Sequence, residues 1–85
     1  MKITLSKLNV DALNVSIKHF IEENLCNPYL FMTPNTYSDM YDNNLIEIEY
    51  VRDNKQEGRY NIDSIYRGYR IFLDPFMKDG EVELR

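Results

Sequence analysis

Apolar residues recur every three or four positions early in the chain and every second position in its last half, and that change of period divides the fold. Val10, Leu13, Ile17, Phe20, Ile21 and Leu25 form one stripe of an amphipathic helix, with Asn14, Lys18, Glu22 and Glu23 outward. Asn9 or Asp11 offers an N-cap, and Asn27-Pro28 a stop, because the residue before proline avoids helical dihedrals. Residues 2–6 read as a short strand or as a lead-in. Tyr29-Leu30-Phe31-Met32 is a short apolar run between turn residues, the pattern of a buried strand. Thr33-Pro34 then starts a helix, with Thr33 as N-cap and Pro34 at the first helical position. The spacing predicts that helix from Asn35 to Asp42, with Tyr37, Met40 and Tyr41 inward and Asn43-Asn44 closing it.

The second half reads as a meander. Ile46, Ile48 and Tyr50 alternate with Glu47 and Glu49, as on a strand with one wet face. A polar loop from Asp53 to Gly58 follows, and Arg59 to Ile62 resumes the extended pattern. Arg67-Gly68 marks a tight turn between Ile65-Tyr66 and Tyr69-Arg70, after which Tyr69, Ile71 and Leu73 share one side. Asp74-Pro75 breaks that strand, Asp79-Gly80 turns the chain, and Glu81 to Arg85 alternates again with Val82 and Leu84 inward. The expected architecture is a single α+β domain over residues 1–85. It has one amphipathic N-terminal helix and a short second helix on a small, mainly antiparallel sheet.

Composition narrows the function classes. The chain has 85 residues, room for one core. A net charge of −4 and a pI near 4.8 disfavour attraction to a nucleic-acid backbone. With Cys26 as the one cysteine no internal disulfide can form, whereas secreted domains of this size usually carry several. The first residues lack a signal-peptide apolar core and no run reaches membrane-spanning length, so the expected location is the cytoplasm, away from membranes.

Catalytic apparatus is sparse. His19 is the sole histidine, and a nucleophilic triad or Cys–His pair has to be built around it. Cys26 lies two helical turns further on, roughly 10 Å along the axis, too far for a thiolate–imidazole hydrogen bond. A flank histidine beside Glu22 or Glu23 and a small buried cysteine are the simpler assignments. A calcium loop at Asp53–Gly58 fails because Lys55 occupies its third position. Glu47 and Glu49 suit a solvated sheet face, and Gly58, Gly68 and Gly80 form no phosphate loop. The expectation is no catalytic residue, no metal and no cofactor.

One constellation stands out: Arg59-Tyr60, then Tyr66-Arg67-Gly68-Tyr69-Arg70. Cross-strand Tyr–Arg pairs covering a sheet account for it first. A protein interface through Tyr60, Tyr66, Arg67, Tyr69 and Arg70 comes second, since Tyr and Arg are enriched at hot spots. Single-stranded nucleic acid is a third reading, disfavoured by the acidic chain.

Phe31-Met32-Thr33-Pro34-Asn35-Thr36-Tyr37 resembles the strand-to-helix step of tailed-phage major capsid proteins. Gly68-Tyr69-Arg70-Ile71-Phe72 is similar to the strand that follows their hairpin, and the end from Asp74-Pro75 to Arg85 looks like that of small phage or mobile-element proteins. A shell subunit needs two domains and extended arms, so the resemblance implies a shared strand–helix–hairpin unit and a phage origin. It carries no site residues across. The expected function is a non-enzymatic module that binds a host or viral protein. Self-association as a virion or assembly component is the alternative.

Overall fold

A computed structural model describes residues 2–4, 10–52 and 60–85. Among these residues, six strands and two helices follow in the order β1 (Lys2–Thr4), α1 (Val10–Asn24), β2 (Leu30–Met32), α2 (Pro34–Asp42), β3 (Glu47–Arg52), β4 (Tyr60–Tyr66), β5 (Tyr69–Leu73) and β6 (Glu81–Leu84). The α+β expectation holds. The strands form one sheet in the order β1-β6-β2-β5-β4-β3. Four of its pairings are antiparallel, but the central one, β2 with β5, is parallel, with Leu30 opposite Ile71 and Phe31 opposite Phe72. The expected polar loop at Asp53–Gly58, with Arg59, lies outside the described residues.

Both helices lie on the same face of this sheet. Leu13, Ile17 and Phe20 of α1 and Met40 of α2 join Leu30 and Met32 of β2, Tyr66 of β4, Ile71 of β5, and Val82 and Leu84 of β6 in one buried cluster. Side chains of a strand alternate between faces. With Leu30, Met32, Ile71, Val82 and Leu84 committed to the helices, Phe31, Arg70, Phe72, Glu81 and Glu83 must occupy the opposite face, which neither described helix covers.

Four expectations need correction. Helix α1 ends at Asn24, before Pro28 can act, because Leu25 turns left-handed at φ 55° and closes the last turn with its N–H on the Ile21 carbonyl. Leu25 thereby leaves the apolar stripe and is exposed, as is Cys26, which the sequence suggested was buried. Tyr41 is also exposed: α2 is short, Met40 and Thr36 take its inner face, and the Tyr41 ring stacks outside on Tyr37.

The start of α2 forms as the Thr-Pro pair predicts. Thr33 is extended (φ −73°, ψ 160°) and its Oγ1 accepts the Thr36 N–H at 3.2 Å, with Pro34 in the first turn. The same hydroxyl donates to Asp79, the Thr36 hydroxyl donates to Thr33 at 3.1 Å, and Gly80 N–H donates to Thr36 Oγ1 at 2.9 Å. The β5–β6 connection is thus stitched to the helix end.

At the β4–β5 hairpin, Arg67 (φ 50°) and Gly68 (φ 88°) are both left-handed, the geometry of a type I′ turn. Glycine adopts it freely; arginine at the first position does not. Arg67→Asn will therefore raise the unfolding free energy by about 0.5–1 kcal/mol, read from the urea midpoint at unchanged slope, because asparagine tolerates this region better.

Candidate functional site

The uncovered sheet face is organised around a strip of three aromatic rings. Parallel pairing of β2 with β5 sets Phe31 beside Phe72, stacked with centroids 5.3 Å apart and planes at 21°. Tyr29, two residues before Phe31, meets Phe72 edge-on at 5.6 Å. Its backbone is held in the sheet by two hydrogen bonds with Arg85, which extend the β2–β6 ladder by one residue pair. Phe72 is 39% and Tyr29 49% exposed, large openings for aromatic side chains at the centre of a sheet.

Two guanidinium groups lie on the strip, and both are already engaged. Arg85 sits 4.1 Å from the Phe31 centroid, bonded to Glu83 at 3.1 and 3.2 Å and reaching Asp74 at 3.5 Å. Arg70 sits 5.6 Å from the Phe72 centroid and bonds Asp63 at 2.9 Å. The hydrogen bonds from Arg85 hold the Glu83 carboxyl below its ordinary range, and Glu83 in return raises Arg85. Both groups remain charged throughout the physiological range.

Carboxylates frame the strip. By register, Glu47 and Glu49 of β3 lie opposite Ile65 and Asp63 on this face, and Glu81 and Glu83 of β6 lie on the other side of the rings. Glu47, Glu49 and Glu81 form no ion pair with another described residue. Beyond the sheet end, Asp74 accepts the Phe76 N–H on its side chain and the Met77 N–H on its carbonyl. That turn presents Phe76 at 97% exposure.

The Tyr/Arg constellation divides between the two faces because its residues alternate along β4 and β5. Among its members with described side chains, Arg70 alone joins the open face. Tyr66 is 1% exposed beneath α1, its hydroxyl donating to Asn14 Oδ1, and burial pushes its pKa up. It fills the core and is not a surface for a partner. Tyr69 is half-buried on the helix side. With Arg67, Asn14, Ile17, Lys18 and Ile21 it lines an open groove of 390 Å³ between α1 and the hairpin. Tyr60 pairs with Arg52 at the far end of the β3–β4 ribbon. Arg70 itself stacks on a phenylalanine, Phe72.

Sequence reasoning missed Tyr29, Phe31, Phe72 and Arg85. A signal existed: Phe31 lies between two core residues in a strand, so it has to face the other way. Among the described residues no group of three or more His, Cys, Asp or Glu side chains converges as a metal site, and no helix is long and apolar enough to cross a membrane. His19 lies exposed on α1. The chain matches no family model, no curated protein and no solved structure.

Proposed function

We propose that this chain is a non-enzymatic, phage-encoded module of the host cytoplasm that docks a host or viral protein on its open sheet face. The observation that carries the reading is the pair of exposed rings, Tyr29 and Phe72, packed on half-buried Phe31 on the side of the sheet away from both described helices. Aromatic side chains set in a rigid scaffold with arginine at hand are the composition of binding hot spots. Self-association through this face is disfavoured, since two copies would oppose like-charged carboxylate frames. Single-stranded nucleic acid would find stacking rings, but both guanidinium groups are occupied by carboxylates.

The test is affinity capture from extract of the expressing cells, comparing wild type with Tyr29→Ala/Phe72→Ala and with Lys18→Ala/Arg67→Ala. The double truncation on the face will reduce the captured partner at least tenfold, whereas the groove variant will retain it. Loss with the groove variant alone would move the site to α1. Concentration-dependent dimerisation of the wild type by light scattering would favour the assembly reading.

A further inference from the structure

We infer that the occupant of the open face is an extended, cationic segment of the partner protein, with lysine or arginine on both sides of a short apolar stretch. The inference rests on the docking reading above and adds the chemistry of the ligand. Three observations converge on it.

The first is the distribution of charge. On the open face, Glu47, Glu49 and Asp63 flank the rings on one side, and Glu81 and Glu83 on the other. Against them stand Arg70 and Arg85, each in an ion pair, and Lys2, which is exposed opposite Glu83. The carboxylates without an ion pair to another described residue, Glu47 and Glu49 on β3 and Glu81 on β6, lie outside the aromatic centre rather than within it. A phosphate backbone or an acidic peptide is repelled there, and a cationic chain is attracted.

The second is an internal example of the chemistry. Arg85 lies on the Phe31 ring with its guanidinium between Glu83 and Asp74, so the face already holds one guanidinium by ring stacking and charge-assisted hydrogen bonds. An arginine supplied by a partner meets carboxylates again at Glu47 and Glu49, beyond the Arg70–Phe72 contact.

The third is length. From β6 to β3 there are four strand spacings, about 19 Å at ~4.8 Å each. An extended chain advances about 3.3 Å per residue, so roughly six residues reach from one carboxylate flank to the other across the rings. A segment with cations at its ends and apolar side chains between them matches acidic flanks around an aromatic centre.

The experiment titrates three eight-residue peptides into isotope-labelled protein while amide resonances are followed. All share a Leu-Phe-Leu-Leu centre and differ in flanking pairs: Lys-Arg, Gln-Gln or Glu-Glu. The Lys-Arg peptide will shift Phe31 and Phe72 and bind at least tenfold more tightly than the Gln peptide. Raising salt from 50 to 300 mM will weaken it several-fold, because the flanking pairs are exposed. Glu47→Gln/Glu49→Gln/Glu81→Gln will remove most of its advantage at unchanged fold. Equal binding of the Gln peptide on the same resonances would overturn the inference and leave the docking reading standing. No response of the face to any peptide, or a response confined to the α1 groove, would overturn the inference, with the capture experiment still judging the docking reading. Tight binding of an oligothymidine to Phe31 and Phe72 would overturn both.

Discussion

Leu30→Ala will destabilise the protein by about 2–5 kcal/mol and leave much of it unfolded near 37 °C. Leu30 is 0% exposed and sits on β2, the strand between β6 and β5, with Leu84 and Ile71 as its cross-strand partners. Its neighbours belong to three strands and to the helices packed over them, so no single element can move in to fill the space. A domain of 85 residues holds about 4–13 kcal/mol in all, and a small core places it toward the low end. Urea unfolding followed by circular dichroism measures the loss. Phe76→Ala, at a 97% exposed position, will shift stability by less than about 0.5 kcal/mol and serves as the control.

The second large effect lies at the start of α2. Thr33→Val keeps the volume and shape of the side chain but removes an oxygen that accepts the Thr36 N–H and the Thr36 hydroxyl proton and donates to Asp79. Thr36 is buried, so its freed N–H and hydroxyl cannot turn to water as exposed Asp79 can, and the cost will be about 1–3 kcal/mol. Thr33→Ser, which retains the oxygen, will recover most of it. The network also predicts an acid response. Hydrogen bonds from Thr33, and then from Asn35, lower the Asp79 pKa, so the ionised form is preferred in the folded state. Its contribution is complete above the unfolded value near 4 and is lost as pH falls through the lower folded value. Asp79→Asn will reduce the stability lost on acidification below about pH 4, measured as thermal midpoints across pH 2–6.

The sequence displayed its local features more clearly than its long-range ones. The Thr33-Pro34 cap, the Arg67-Gly68 turn and the Val82/Leu84 alternation depend on neighbouring residues, and each appears where the pattern places it. The end of α1 was misplaced because proline is a strong stop, whereas a left-handed leucine leaves no mark in the sequence. The aromatic strip was hidden for a different reason. Tyr29–Met32 reads as a continuous apolar run, which suggests a strand buried on both faces. Only the parallel pairing with β5 and the placement of both helices on one side show that Phe31 faces outward beside Phe72. The Tyr/Arg cluster misled for the converse reason. Residues adjacent in sequence on a strand point to opposite faces, so Tyr66, Tyr69 and Arg70 were never one surface.

Docking on the open sheet face, rather than in the groove beside α1, leaves a distinct footprint on the backbone. Amide hydrogen exchange on the captured complex, compared with the free protein, tests it most directly. New protection is expected on β2 and β5 around Phe31 and Phe72 and on β6 around Glu83, with α1 unchanged. Protection confined to α1 and the Arg67-Gly68 turn, with β2 and β6 unaltered, would contradict it.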